Sequence, residues 1–486
     1  MPGRREVLAG ASGALALGGC DRMVGAASRW LGADLPARVA VAEGPRITPE
    51  RHLLSRAAFG PWPGDEARVR AMGVDGWIDE QLEPDGIDDA ACEVRTGTLD
   101  VALVPSDLIF EVRPEHLERQ LVAHTLLRAV YSRRQLQEVL VAFWSDHFHV
   151  HLGKAECRHL TALHVREVIR RHALGRFRDL LRAVVCSPAM LVYLDGRDNA
   201  VERPGDVPNE NYARELLELH TLGVRGGYTQ RDVMEAARCL TGWVVRERWA
   251  PGRARFVPAR HDDGEKTVLG RRIPAGGGAH DLDRLLDVVT RHPSCAGHVA
   301  TRLCRQLVAD DPPATVVTAA ADAFARTDGD LRAVVRAILR SEAFAASAGL
   351  RVKRPFRFVV STLRALAADT HARGDLQAHI ARMGQSPHDH PTPDGYPLEG
   401  EAFLGTLLSR WRFAVALADG GLDDTRADLA RLRRALGDGS ALGLWRHLVG
   451  RDPDAAERAA LASQARDGAA ARTLALVLSS PGYQTC

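Results

Sequence analysis

The sequence lacks the signatures of several common protein classes. Its eight cysteines include no Cys-x-x-Cys pair, which argues against a thiolate zinc knuckle or a ferredoxin-type cluster. It also lacks a Gly-x-Ser-x-Gly elbow, a phosphate-binding Gly-x-x-x-x-Gly-Lys loop and a convincing dinucleotide fingerprint. Serine hydrolases of the elbow type, P-loop proteins and Rossmann enzymes are therefore disfavoured.

Charge of one sign and long apolar runs are also missing. The net charge is only +2 over 486 residues, and no basic stripe is present. Such a balance argues against a nucleic-acid partner. Beyond the N-terminus no segment is apolar enough to cross a bilayer. The composition, with 45% hydrophobic and 26% charged residues, is that of a globular protein.

The first twenty residues predict export. A twin-arginine start is followed by a short apolar run at residues 9–19, and the start reads Arg4-Arg5-Glu6-Val7-Leu8. The run is too short to span a bilayer and is typical of a twin-arginine signal peptide. Leu17-Gly18-Gly19-Cys20 resembles a lipobox, although Cys20 beside an ordinary cleavage site is the alternative. We expect a periplasmic or cell-envelope protein that contacts the membrane only through a lipid on Cys20.

Hydrophobic periodicity predicts a mainly α protein with a large multi-helix body. The helical period dominates nearly every segment, including residues 115–148 and 209–222. Glycine, proline and β-branched residues at 244–273 predict a loop with a short hairpin. We divide the chain into a signal at 1–20, a linker at 21–50, a mainly helical domain at 51–418 and a helical section at 419–486. The last section is either separate or part of the same body.

The first candidate site is a polar arc on a helix at residues 208–220. Placed at 100° per residue, Asn211, Arg214, Glu215 and Glu218 share one side, opposite an apolar face. Asn209 is suited to cap the helix start. The alternative is a solvated face on which Arg214 pairs with Glu218.

The second candidate lies at residues 143–151. Leu140, Trp144, His147 and His151 recur at i, i+4, i+7 and i+11, so the two histidines continue an apolar stripe. Two imidazoles four residues apart on a helix can bind one zinc, iron, copper or nickel ion. The His-Glu-x-x-His order of metalloproteases is absent. Core histidines satisfied by hydrogen bonds are the alternative.

The third candidate is a turn rich in ionisable residues at 260–270. Asp262 and Asp263 precede a glycine, which is first of all a turn signal. His261 and Asp262 could complete a mixed nitrogen and oxygen metal shell, or act as a base and its orienting partner. Lys266 would balance the negative charge.

Separated phrases along the chain resemble the domain-of-unknown-function 1800 family of exported bacterial proteins. The phrases, in chain order, are His52-Leu53-Leu54-Ser55-Arg56-Ala57-Ala58-Phe59-Gly60, Phe143-Trp144-Ser145-Asp146-His147-Phe148, Asn209-Glu210-Asn211-Tyr212-Ala213-Arg214-Glu215-Leu216, Gly227-Tyr228-Thr229, Leu240-Thr241-Gly242-Trp243, His261-Asp262 through Lys266 to Leu269-Gly270, and Pro393-Asp394-Gly395-Tyr396-Pro397. The resemblance covers residues 51–418. It implies an export signal and a neighbouring sulfatase-like partner, but no established activity.

These observations support three hypotheses. The first is an extracytoplasmic hydrolase or oxidoreductase assisted by a divalent metal. Its predicted residues are catalytic Glu215, His261, Asp262 and Lys266, substrate-binding Asn209, Glu210, Asn211, Arg214 and Trp144, and metal-binding His147 and His151. The second is a non-catalytic, membrane-tethered module that assists a sulfatase-like partner or polysaccharide handling. The third is a buried polar network that fixes how the helices cross.

Overall fold

The computed structural model describes residues 18–41, 43–203, 205–246, 252–437, 439–465 and 470–486. The fold is mainly α, which confirms the prediction from periodicity. The twin-arginine motif and residues 9–17 of the apolar run lie outside the described residues. Among the helices that the structure describes, none is long and apolar enough to cross a membrane.

Helices fill the first half of the chain. Their α-helical bounds are Gly18–Ser28, Pro49–Arg56, Asp65–Met72, Val74–Leu82, Ala90–Thr96, Asp100–Leu103, Pro114–Tyr131, Gln135–His147, Cys157–Leu163, Arg170–His172, Phe177–Val185, Pro188–Tyr193, Asn211–Glu215 and Gln230–Cys239. Short 3₁₀ turns occur at Pro84–Gly86, Ser106–Glu111, Gly196–Asp198 and Pro258–Arg260. Three π-helical turns continue α-helices, at Arg29–Ala33, His164–Ile169 and Leu216–Thr221.

The second half is helical as well. Its α-helices are His280–Thr290, Pro293–Leu307, Ala314–Arg326, Leu331–Leu339, Glu342–Ala345, Pro355–Ala365, Gly374–Arg382, Leu407–Ala418, Leu429–Leu436, Ala441–Val449, Ala455–Ala465, Ala470–Ser479 and Pro481–Gln484. A 3₁₀ segment at Gly400–Thr406 leads into one of them. Three of these helices begin with proline in the first turn, where its missing N–H costs nothing.

The described residues between 243 and 273 form two short antiparallel strand pairs, whereas one hairpin was predicted at 244–273. Trp243–Val245 pairs with Ala254–Phe256, and Lys266–Val268 pairs with Arg271–Ile273. The second hairpin turns through Leu269 and Gly270, both at positive φ. It packs against the helix Gln230–Cys239 and so fixes the turn that carries the third candidate site.

The long helix expected at 115–148 is interrupted at Ser132 by a distant carboxylate. Asp89 accepts hydrogen bonds from the Ser132 hydroxyl at 2.9 Å and from the Arg133 backbone N–H at 2.7 Å. Arg128 Nη2 also donates to Asp89 Oδ2 at 3.1 Å. Because Asp89 is buried, these partners offset its desolvation and hold the break.

One hydrophobic core joins most of the described chain. Its buried side chains run from Leu35 to Tyr483. The C-terminal section also bonds to the start of the domain, because the Arg51 guanidinium donates to the His447 carbonyl at 3.0 Å. A two-residue pairing of Asp369–Thr370 with Thr425–Arg426 adds a further connection.

Candidate functional site

The third candidate turn is built around a buried carboxylate that the sequence analysis did not single out. The Asp281 side chain is fully buried, and Lys266 Nζ lies 2.5 Å from its Oδ2. His261 Nε2 lies 3.3 Å from the same oxygen, while Arg284 Nη1 lies 3.2 Å from Oδ1. The backbone at Gly277 also lies close to the carboxylate. Glycine is needed there, since a Cβ on residue 277 would lie 1.8 Å from Asp281 Oδ1. Asp281 is thus the centre of the cluster.

The polar atoms of this cluster already have partners. His261 Nδ1 lies 3.0 Å from both the hydroxyl and the carbonyl oxygen of Thr241. Lys266 also donates to the Asp262 carbonyl. Both ring nitrogens of His261 and the Lys266 ammonium are therefore engaged, and Lys266 is only 1% exposed. In this arrangement the two predicted catalytic residues tie the second hairpin to the helix His280–Thr290.

Asp262 is held separately by an arginine. Arg238 Nε and Nη2 donate to its two carboxylate oxygens at 2.6 and 3.1 Å, a bidentate geometry. The Gly264 N–H adds a third bond at 2.9 Å. The Arg238 hydrogen bonds, ahead of the opposing effect of burial, lower the pKa of Asp262. A carboxylate held ionised in this way suits a fixed turn better than a general base.

His147 caps the helix that carries the first candidate site. Its Nε2 lies 3.1 Å from the His220 carbonyl, and His298 Nε2 lies 3.0 Å from the Leu219 carbonyl. These carbonyls lie at the end of the π-helical turn Leu216–Thr221, where the last carbonyl groups of a helix have no backbone N–H within the helix to accept from. Burial lowers the pKa of His147 well below its usual value, so the ring is neutral. Its Nδ1 is buried without a partner among the described residues.

The expected helical stripe of His147 and His151 is wrong, because the helix Gln135–His147 ends before His151 is reached. His151 Nδ1 instead lies 3.9 Å from Asp389 Oδ1. In the described part of the chain, no group of three or more histidine, cysteine or acidic side chains is placed to hold a metal ion. The two histidines do not fit a shared metal as they stand, and no chemical step is derived through one.

Trp144 is a core residue. Its side chain is fully buried and its indole N–H donates to the Ala173 carbonyl at 3.0 Å. The ring stacks against Phe148 with centroids 5.7 Å apart. A substrate would have to displace the core to reach it, so the predicted binding role has no support from this geometry.

The start of the helix Asn211–Glu215 is organised by amides. Asn209 was predicted to cap the helix, but the N-cap is Glu210, and Asn209 Oδ1 accepts from the Asn211 N–H at 3.0 Å in a turn just before it. Asn199 Oδ1 accepts from the Asn209 N–H at 2.9 Å. The Asn211 side chain in turn donates to the Leu194 carbonyl and to Asp195, each at 3.2 Å. The amides fix the loop before the helix.

Arg214 pairs backward along the helix. Its Nη2 lies 2.6 Å from Glu210 Oε1 and 2.8 Å from Gln230 Oε1, so the expected partner Glu218 is not used. Glu218 accepts instead from the Tyr228 hydroxyl at 3.3 Å. The charges of Glu210 and Arg214 therefore compensate each other.

Glu215 differs from every other predicted site residue. Its side chain is half-buried, and it makes no side-chain hydrogen bond or ion pair with the described residues. Burial, followed by repulsion from Glu218 and Asp394, raises its pKa above the ordinary value, although Arg214 opposes this. Burial raises the pKa of the Tyr193 phenol, and Glu215 is near enough to add a smaller contribution. A half-buried carboxyl with free hydrogen-bonding capacity is therefore present.

The structure brings some predicted residues together and leaves others apart. His261 and Lys266 share Asp281, and Glu210 and Arg214 form a pair. No hydrogen bond, ion pair or ring contact joins His147, Glu215 and His261 within the residues described.

Sequence reasoning missed two acidic residues. Asp281 carried a signal, because it stands on the apolar stripe of the helix His280–Thr290, four residues before Leu285. Asp394 lies in the quoted phrase Pro393 to Pro397 but was not assigned to a site. Its loop approaches the chain so closely that a Cβ on Gly395 would lie 2.1 Å from the Asp146 carbonyl oxygen.

Together these features define a mainly α protein in which, among the described residues, a closed polar network lies apart from the half-buried carboxyl of Glu215. A family model described as "Protein of unknown function (DUF1800)" matches residues 52–485. The chain therefore belongs to the DUF1800 family, and the match extends beyond the boundary expected at residue 418. No curated protein and no solved structure matches the chain.

Proposed function

We propose that the chain is an exported cell-envelope enzyme of the hydrolase type, in which Glu215 acts as general acid and base. The observation that carries this proposal is the raised pKa of a half-buried carboxyl that has no hydrogen-bond partner among the described residues. Carboxyl groups shifted toward neutral pH by burial and by like charges are suited to proton transfer. Glu215 lies in the segment 209–216, which resembles a phrase of the family. The family is described as having no known function, so it suggests no other activity for this residue.

The surroundings of Glu215 favour a neutral, polyhydroxylated substrate. Glu218 and Asp394 add negative charge near it, which disfavours an anionic ligand. Tyr228 lies within electrostatic range of Glu215 and is half-buried, so its ring is available to a substrate, while its hydroxyl donates to Glu218 at 3.3 Å. A second carboxylate in the site is the arrangement that glycoside hydrolysis requires, with one group as acid and the other as base or nucleophile. We assign the second role to Asp394.

Substitution of Glu215 tests the proposal directly. Hydrolysis of a panel of neutral polysaccharides would be followed by release of reducing ends. We expect Glu215→Gln to lower kcat by about 10²- to 10⁴-fold at unchanged melting temperature, as loss of a general acid or base does. Full activity in Glu215→Gln, or no hydrolysis of any neutral glycan by the wild type, contradicts the assignment.

Glu218→Gln provides a matched control on the same helix. It removes a neighbouring negative charge while leaving Glu215 in place, so the pKa of Glu215 should fall. The alkaline limb of the pH profile, which reports loss of the proton from the general acid, should then move to lower pH with little loss of the maximal rate. An unchanged profile would mean that Glu215 does not control the rate.

A second candidate function, the membrane-tethered module that binds a sulfatase-like partner, is favoured by a separate surface. Leu404, Leu408, Trp411 and Val415 recur at helical spacing on and before the helix Leu407–Ala418, and each is 44–56% exposed. Exposed apolar stripes of this kind mark protein contacts. Co-purification with the sulfatase-like protein should be lost in Trp411→Glu and retained in Glu215→Gln. Retention by Trp411→Glu would contradict this second function.

A further inference from the structure

The first described helix exposes two large apolar side chains on one side. Trp30 is 86% exposed and Met23 is 73% exposed. They are seven residues apart, which is about two helical turns, along Gly18–Ser28 and the π-helical turn Arg29–Ala33. Gly25 and Ser28 face the body and are buried. The two exposed side chains therefore form one outward face.

This helix is fixed on the body of the protein. The Ser28 hydroxyl donates to the Ala91 carbonyl at 2.7 Å and accepts from Arg95 Nε at 2.8 Å. Near the other end, Arg373 Nη1 lies 2.9 Å from Asp21 Oδ2. Because both ends of the helix are anchored, the outward face is presented in a defined orientation.

We propose that this face contacts a phospholipid bilayer, with Met23 and Trp30 entering the headgroup region beside a lipid on Cys20. Cys20 closes the lipobox-like phrase and lies in the same helix, three residues before Met23. Tryptophan favours the membrane interface, where its ring meets apolar chains and its N–H meets water. The exposed Arg22 adjoins the pair and suits anionic headgroups.

A bilayer suits this face better than a protein partner because of its position. A lipid on Cys20 would hold the start of this helix at the bilayer surface. Met23 and Trp30 lie on the same helix and its π-helical continuation, so they would meet the headgroup region where the lipid holds the chain. The inference rests on the export assumed in the proposed function and on the lipid predicted at Cys20, and it adds the orientation of the bound protein.

Fluorescence quenching tests the contact on the whole, lipid-modified protein. The protein purified from cell envelopes would be placed in vesicles of phosphatidylethanolamine and phosphatidylglycerol, with and without brominated acyl chains. The protein has eight tryptophans, so the emission of Trp30 is obtained as the difference between wild type and Trp30→Phe. We expect bromolipids to quench this Trp30 emission at least twofold and aqueous iodide to leave it unchanged. Quenching by iodide but not by bromolipid would overturn the inference.

Trp411→Phe is the matched control, because Trp411 is 44% exposed on a different helix. Its emission should respond to iodide and not to bromolipid. Protection of Trp30 from iodide without vesicles, together with a doubled mass in solution, would assign the face to a second copy and overturn the inference.

The lipid anchor and the side-chain contact can fail separately. The difference in vesicle flotation between wild type and Cys20→Ser reports the contribution of the lipid anchor. At high lipid concentration, Cys20→Ser should still bind vesicles, and adding Met23→Ala and Trp30→Ala should weaken that binding about tenfold. Leu350→Ala, which removes another exposed apolar side chain, should not change it. Equal binding of these variants would overturn the side-chain contact even where the anchor is present.

Discussion

Lys266→Met distinguishes a structural role for the buried turn from a catalytic one. The substitution keeps an unbranched apolar side chain, one atom shorter than lysine, but removes the ammonium that lies 2.5 Å from Asp281 Oδ2. The carboxylate then stays in the interior with His261 Nε2 at 3.3 Å and Arg284 Nη1 at 3.2 Å. We expect a marked loss of stability, because an ionised group would remain buried with incomplete compensation.

The magnitude follows from the remaining partners. Removing one member of a buried ion pair costs about 3–5 kcal/mol, and the partly exposed Arg284 places this case near about 3 kcal/mol. Unfolding entropy of about 2.1 cal/mol/K per residue, over about 460 described residues, gives about 1 kcal/mol/K. The melting temperature should therefore fall by about 3 °C if the body unfolds as one unit. Far-ultraviolet circular dichroism would measure it.

The double variant Lys266→Met with Asp281→Asn provides the control. With both charges removed, most of the penalty for an unpaired buried carboxylate disappears, so the double variant should melt above Lys266→Met. A melting temperature within 1 °C of wild type in Lys266→Met, combined with loss of glycan hydrolysis, would refute the structural role and restore Lys266 to the catalytic set. A double variant no more stable than the additive sum would also refute the reasoning.

Three further outcomes are expected. Glu215→Gln should slightly stabilise the protein near neutral pH, because burial and the charge of Glu218 raise the pKa of Glu215 and make its ionised form unfavourable in the folded state. Chemical denaturation should show that this gain vanishes as pH falls below about 4.5. Gly395→Ala should destabilise by about 2 kcal/mol through its positive φ and its approach to Asp146, whereas Gly384→Ala, also at positive φ but with open space around it, should cost less. Burial lowers the pKa of His220 to about 3, so only the unfolded state takes up a proton at this residue as pH falls below about 6.5, and stability is lost. His220→Leu removes this loss, and its melting curves at about pH 5.5 should show a decrease in stability smaller by about 1.4 kcal/mol than that of wild type.

Local patterns predicted which segments are helical but not where all of them end. The break after Tyr131 depends on Asp89, whose carboxylate takes the Arg133 N–H from a position 44 residues earlier in the chain. The end of the next helix at His147 removed His151 from the expected stripe. Helical period is a local property, whereas both endings depend on contacts between distant segments.

Pairing within the first candidate site shows a similar limit. The spacing allowed Arg214 to pair with a glutamate four residues away on either side. The structure selects Glu210, because Gln230 from the next helix approaches that side and bonds to both residues. Glu218 is left to bond with Tyr228. The polar arc could be predicted from the sequence. Which glutamate pairs with Arg214 could not, because that choice depends on Gln230 of the neighbouring helix.

Ionisable residues gathered by a motif can serve either the fold or the chemistry, and the use of their hydrogen-bonding capacity separates the two. In the buried turn, Lys266 and both nitrogens of His261 are already occupied. His220 has both ring nitrogens free among the described residues, yet it is fully buried and no substrate can reach it. Glu215 combines a free carboxyl with partial exposure and a raised pKa. Chemistry on a dissolved substrate requires both access and an unused proton-transfer group, so the proposed activity is assigned to Glu215.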